Sequence, residues 1–174
     1  ATFSFYPNDY LVWFTRCVYY ACNTFYNWNE FRDMLSLEQE QKINETSSIR
    51  IIGLTIETRP DYIAPKLKGQ SEVNFEKLMF FRELGVTRIQ LGIQSTKDNI
   101  LKKINRKCTN KQNKEGMRLV LQNGFKLDIH IMFDLPGSNP EIDKEVIDEI
   151  INDPELQADQ WKLYPCETTN FTKI

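Results

Sequence analysis

Four short, β-branched apolar runs alternate along this chain with longer amphipathic segments, and that alternation leaves few folds open to it. The runs are Arg50–Glu57 (RIIGLTIE), Val86–Gln94 (VTRIQLGIQ), Phe125–Phe133 (FKLDIHIMF) and Asp159–Tyr164 (DQWKLY). Each reads as a buried strand, the first bounded by Arg59-Pro60. Between them, apolar residues recur at three- and four-residue spacings. That pattern predicts helices over Ser71–Leu84, Asp98–Ile104, Asn110–Asn123 and Pro140–Ile151. Val73, Leu78, Phe81 and Leu84 share one face of the first, and Ile142, Val146, Ile147 and Ile150 one face of the last. Gly85 and Gly124 stand where a helix ends in a left-handed residue, and Asn139 or Ser138 caps a helix opened by Pro140. Upstream, Tyr10, Leu11, Phe14, Val18 and Ala21 predict a helix over Asp9–Tyr26, capped by Asn8 or Asp9 after Pro7. A second helix is read over Glu30–Ile43. Strands and helices joined by such short connections imply an α/β fold, a parallel sheet with helices outside it.

In a parallel sheet of this kind chemistry gathers at the C-terminal ends of the strands. The ends here carry Glu57, Gln94, His130 and Lys162–Tyr164. Four polar residues at four equivalent ends converge on one mouth. Alternation along the third strand sends Asp128, His130 and Met132 to one side, the interior of a barrel.

Bulk properties narrow the partners. A chain of 174 residues suits one domain with one core. A net charge of −2 leaves any RNA contact to a local basic patch. No apolar run approaches the roughly 18 residues of a membrane span, and no secretory leader is visible. The four cysteines, at 17, 22, 108 and 166, form neither Cys-x-x-Cys nor Cys-x-x-x-Cys, and read as reduced thiols of a cytoplasmic or nuclear protein.

Three stretches together carry a resemblance. They are Gly53-Leu54-Thr55-Ile56-Glu57-Thr58-Arg59-Pro60-Asp61-Tyr62, then Gly85 to Ser95 (GVTRIQLGIQS), and His130-Ile131-Met132 running into Leu135-Pro136-Gly137-Ser138. Trp161-Lys162-Leu163-Tyr164-Pro165 fits the same series, and Ala1-Thr2-Phe3 resembles the tail of a Gly-Gly-Thr-Phe segment. In this order the chain resembles the radical S-adenosylmethionine (SAM) domain of the elongator catalytic-subunit family, over nearly its whole length. The resemblance implies a partial (β/α) TIM-like barrel truncated at its N-terminus. It also implies the family's chemistry. SAM is cleaved at a [4Fe–4S] cluster, and the deoxyadenosyl radical activates an acetyl group, drawn from acetyl-CoA, for attachment at C5 of a wobble uridine in tRNA. Its partners would be tRNA and other elongator-type subunits, with no membrane.

Roles follow from the resemblance position by position. Glu57 would bond the SAM amino group or ribose, and Gln94 the ribose or methionine part. Arg106, in Ile104-Asn105-Arg106, would face the SAM carboxylate. His130 would occupy a SAM-facing position, and Thr2 would belong to the segment that meets the methionine amino group. Lys162 and Tyr164 would sit near the acyl donor or the target base. The residue types suit the ligand: a carboxylate takes an ammonium or hydroxyls, a guanidinium takes a carboxylate bidentately, and an amide both donates and accepts.

The sequence also departs from the family. The family needs three cysteines upstream of the Gly-Gly-Thr segment. Cys17 and Cys22, five apart in a predicted helix, are turned about 140° from each other. Cys108 stands where the family shows His, and Asp134 where it shows Gly or Pro. The cluster-binding segment and the acetyltransferase domain are expected to be missing from residues 1–174, and this chain alone is expected to be inactive. Two readings stay open: a fragment of the modifying enzyme, or a cluster-less relative that binds tRNA or a partner. A third, an iron-free barrel enzyme, lacks the three-part match. Simpler roles are also available. Glu57 and Arg59 make a local ion pair, Gln94-Ser95 satisfies a loop, and Arg106 shares a solvated basic run with Lys102, Lys103 and Lys107. His130 packs as an ordinary core histidine, the cysteines are buried apolar groups, and the aromatic-rich start (Phe3 to Tyr20) packs into the core.

Overall fold

Isoleucine and leucine at every second position of the central strands turn one sheet face toward the helices. The computed structural model, which describes residues 3–27, 32–64 and 71–167 (of 71–74 the backbone alone), shows four strands. They are β1 (Thr55–Thr58), β2 (Arg88–Gln94), β3 (Lys126–Phe133) and β4 (Gln160–Pro165), in the order β1-β2-β3-β4. Every neighbouring pair is parallel. Ile56, Ile89, Leu91, Ile93, Leu127, Ile129 and Ile131 enter one core with Leu78, Phe81, Met117, Val120, Val146 and Ile150 of the helices.

Those helices are α3 (Ser71–Glu83), α5 (Asn110–Gln122) and α6 (Pro140–Asn152), with a short α4 (Asp98–Lys103) after β2. Helices α3, α4 and α5 end alike. Gly85, Asn105 and Gly124 adopt φ of +84°, +55° and +74°. The next amide reaches back five residues in each case: Val86 to Phe81, Arg106 to Leu101 and Phe125 to Val120. This is the Schellman closure, which satisfies carbonyls the helix leaves orphaned and turns the chain sharply. After α3 and α5 the turn launches a strand; after α4 it launches Arg106. Asn139 caps α6, its side chain accepting from the Ile142 amide, with Pro140 at the first helical position.

The N-terminal region departs from the sequence reading in four places. Helix α1 runs Asn8–Thr24 with Pro7 at its cap position and no side-chain cap, so neither Asn8 nor Asp9 serves. Its buried stripe is Leu11, Thr15 and Tyr19, about 100° round from a stripe through Tyr10 and Phe14. Tyr10, Trp13 and Phe14 stand exposed and pack on one another and on Tyr6, with ring centroids 4.9–6.2 Å apart. Most of the aromatic start is therefore surface rather than core. Helix α2 is Leu37–Asn44, because Ser36 and Gln39 form a capping box that fixes its beginning; Glu30 lies outside the described residues. Strand β1 begins at Thr55 rather than Arg50. Upstream of it the amides of Ile51 and Leu54 bond to the side chains of Asn44 and Thr87 instead of a neighbouring strand.

Glu40 fastens α1 to α2. Its fully buried carboxylate accepts from both terminal nitrogens of Arg32 (2.6 and 2.7 Å), from Asn23 Nδ2 (2.8 Å) and from the Leu35 amide (2.9 Å). The Arg32 guanidinium, first, and then Asn23 hold its pKa down to about 2. Among the described residues no helix is long and apolar enough to cross a membrane.

Candidate functional site

The face of the sheet turned away from the helices is polar from β1 to β4. Register sets Glu57, Gln90, Asp128 and Gln160 in one row, and Gly92, His130 and Lys162 in the next toward the strand ends. Met132 and Tyr164 form a third. His130 Nδ1 lies 3.8 Å from Glu57 Oε1, and its ring meets the Tyr164 ring edge-on at 5.5 Å. His130 is mid-strand, because β3 runs on to Phe133. Burial pushes its pKa below the ordinary 6.5; the Glu57 carboxylate opposes that and the Lys162 ammonium adds to it.

Beside this cluster the end of β2 is bent. A bulge falls between Gly92 and Gln94, Gln94 adopts φ +68°, and the Ser95 amide closes a tight turn onto the Ile93 carbonyl at 2.9 Å. The bend swings Gln94 over Gly92, and the turn at Asn105 brings Arg106 to the same place. Arg106 Nη2 donates to the Gly92 carbonyl at 2.5 Å. A Cβ on residue 92 would lie 2.7 Å from that Nη2 and 3.0 Å from Gln94 Nε2, so the missing side chain is the slot both occupy. Burial makes the charged guanidinium costly and lowers its pKa, which favours an anionic neighbour. Lys102, Lys103 and Lys107 of the same basic run are exposed, so Arg106 alone turns inward.

The structure thus gathers Glu57, His130, Lys162 and Tyr164, and sets Gln94 and Arg106 over the register partner of His130. Thr2 lies outside the described residues. Phe3–Phe5, just after it, is tied to the end of β1 by a 2.6 Å hydrogen bond shared between the Ser4 and Thr58 hydroxyls, both buried. Arg59 is paired bidentately with Asp61 and lies over Tyr62. Residues not singled out from sequence complete the floor: Arg88 and Gln90 bond the Asp128 carboxylate. Their signal was in the alternation that gave His130, extended to the neighbouring strand. Asp134, where a Gly or Pro was expected, takes φ +57°, a conformation that glycine adopts without strain.

The sequence profile of the radical SAM superfamily matches residues 13–150, well over half of the chain. The chain belongs to the radical SAM superfamily. It is 36% identical over 166 residues to the tRNA uridine(34) acetyltransferase of Methanocaldococcus infernus, a match taking in 95% of this chain and 28% of that protein. Elongator complex protein 3 of Mus musculus is 31% identical over 164 residues, 94% of this chain and 27% of its own length. This radical SAM chain therefore spans little more than a quarter of the curated relatives it matches. The solved structure of Methanocaldococcus infernus Elp3 with an N-terminal deletion superposes with a TM-score of 0.84 at 35% identity, covering 98% of this chain and 36% of that one. Escherichia coli coproporphyrinogen III oxidase shares the fold, at a TM-score of 0.53 and 17% identity over 74% of this chain. The four parallel strands, with the helices that follow the first three, are thus part of a radical SAM, TIM-like barrel.

The inner face suits the sulfonium nucleotide for which the superfamily is named. His130 Nε2, Gln94 Oε1 and Arg106 Nε are buried and have no hydrogen-bond partner among the described residues. With the Glu57 carboxylate they are groups of the kinds that pair with an ammonium, a carboxylate and hydroxyls. An iron–sulfur cluster does not fit the same residues. Cys17 and Cys22 lie on α1, Cys108 is buried before α5, and Cys166 follows β4. No group of three or more metal-ligating side chains occurs among the described residues.

Proposed function

We propose that this chain is the SAM-binding portion of an elongator-type enzyme that modifies a uridine of tRNA, with the ligand held at the C-terminal ends of the strands. The observation that carries the reading is the inward turn of Arg106. A half-buried guanidinium beside Gln94, across from His130, with a buried Nε that has no partner among the described residues, is an arrangement an anionic ligand group completes. When bound, SAM supplies a deoxyadenosyl group for radical chemistry.

The residues bind and orient. Arg106 takes the methionine carboxylate, and Gln94 accepts from and donates to the ribose or methionine part. Glu57 takes the ammonium or the ribose hydroxyls, and Thr2 lies in the segment meeting the methionine amino group. His130, neutral at pH 7 because burial disfavours its charged form, offers Nε2 as acceptor or donor to the adenosyl part. Lys162 and Tyr164, beside His130, face the acyl donor or the target base. The exposed Lys102, Lys103 and Lys107 meet tRNA phosphates. The names of the archaeal and mouse relatives support the tRNA uridine substrate and the elongator setting. No cluster ligand is assigned to this chain, and acetyl-CoA and partner subunits are expectations for the longer protein.

Calorimetric titration of SAM into the chain tests the reading. Binding is expected, weakened about tenfold or more by Arg106→Leu or Glu57→Ala, the loss of one charged hydrogen bond. Absence of binding by the folded chain overturns it. If a tRNA gel shift then persists, and vanishes on neutralising the three lysines, the chain is a tRNA-binding relative without SAM.

A further inference from the structure

A buried carboxylate at the centre of the polar face has no part in the roles above. Asp128 is only 1% exposed and lies one row below His130. Arg88 Nη1 bonds one of its oxygens. Gln90 Nε2 donates to the other at 3.2 Å, and the Lys162 ammonium stands 3.7 Å from that same oxygen. Two cations and an amide from the two flanking strands, β2 and β4, thus converge on one carboxylate. Lys162 is the register partner of His130, so an ammonium drawn toward Asp128 lies under the imidazole. A free lysine side chain carries about 2 kcal/mol of rotamer entropy and does not by itself hold one place. Arg88 and Gln90 brace Asp128 from the β2 side, and Asp128 in turn restrains Lys162 on β4.

We infer that Asp128 is a positioning residue of the site: its braced carboxylate holds the Lys162 ammonium beneath His130 as a fixed positive charge. This rests on the reading of the strand ends as a ligand site. It adds that the charge at the site floor is set by a residue the ligand does not touch. At 3.7 Å the pairing is one of charge rather than a hydrogen bond, so the ammonium keeps its N–H donors. They suit an oxygen of the bound molecule, a carbonyl or a hydroxyl.

The chain has a single histidine, so one imidazole signal reports on the floor. His130 is faced by Glu57 from β1, by Lys162 and Tyr164 from β4, and by Asp128 on its own strand. Its titration midpoint is read by NMR of histidine-labelled chain, without ligand, in a double-mutant cycle of Asp128→Asn and Lys162→Met. With Asp128 present, Lys162→Met removes a fixed positive neighbour and is expected to raise the midpoint by about half a pH unit. With Asn at 128 the ammonium is no longer held, and the same substitution is expected to shift it by less than half as much. Equal shifts in both backgrounds overturn the inference. Should Asp128→Asn not fold, Arg88→Met with Asp128→Asn, which removes both partners of the pair, serves as the second background. A measurement on the unaltered chain stands beside these: Nζ relaxation of Lys162 is expected to show an immobilised ammonium, and a freely reorienting one overturns the inference. Because no ligand is present, failure here leaves SAM binding intact. Failure of SAM to bind would leave the coupling intact.

Discussion

Burial decides the charge of His130, and so fixes how acid acts on the site. Its folded pKa lies below 6.5, whereas the unfolded imidazole keeps the ordinary value. Above pH 6.5 both states are neutral and the group adds no slope. As the pH falls below 6.5 the unfolded state takes up the proton first, so stability is lost on acidification. The thermal midpoint is therefore expected to fall as the pH drops below 6.5, and His130→Gln to flatten that fall. Scanning calorimetry at fixed ionic strength reads it; an unchanged slope in the variant would remove burial as the cause. Gly92 is the second residue whose effect is out of proportion to its size. Gly92→Ala sets a methyl against Arg106 and Gln94 and is expected to cost about 1–3 kcal/mol in urea unfolding, with SAM affinity falling in step. That Glu57, His130, Lys162 and Tyr164 share one mouth was legible from their places near the ends of the predicted strands. The inward turn of Arg106 was not. It depends on Asn105 adopting a left-handed conformation that asparagine permits without requiring, and a basic run looks solvated until the backbone bends.

Elements here are fixed by their ends as much as by their faces. The capping boxes at Ser36 and Thr109 each satisfy two amides, and Ser36→Ala or Thr109→Ala is expected to cost about 1 kcal/mol, read as a lowered urea midpoint. Glu40 fastens more than its own helix. Removing it leaves the partly exposed Arg32 without its carboxylate partner, and Glu40→Ala is expected to cost about 1–3 kcal/mol at pH 7. Its pKa of about 2 lies below the ordinary 4.5, so this contribution is complete above pH 4.5 and fades as the pH falls toward 2. The stability gap between native chain and Glu40→Gln should therefore narrow across that window; a constant gap would separate the pair from the stability it is credited with. Helices α3, α5 and α6 were readable because Gly85, Gly124 and Asn139–Pro140 mark their boundaries. The early start given to β1 shows what an apolar run leaves open. Residues 51–54 are strand-like in composition, but strand pairing needs a neighbour, and β2 begins only at Arg88, opposite Thr55.

At the scale of the molecule, the sheet divides its two faces by chemistry: aliphatic toward the helices, charged and amide-bearing on the other side. The parallel sense of the sheet followed from alternation and short connections, whereas the outward aromatic face of α1 did not, since periodicity marks an apolar stripe without saying which stripe is covered. The inner strands β2 and β3 each have two neighbours, and β1 and β4 have one among the described residues. Amide exchange is therefore expected to be slowest in β2 and β3 and to begin in β1 and β4; uniform protection would contradict that gradient. The ring ladder on α1 has an optical consequence. Trp13, 51% exposed, stands 5.8 Å from the Tyr10 ring, well within energy-transfer range. In a chain whose other tryptophans are replaced by phenylalanine, excitation of tyrosine should emerge as long-wavelength indole emission open to iodide quenching, which gives this face of the molecule its own lamp.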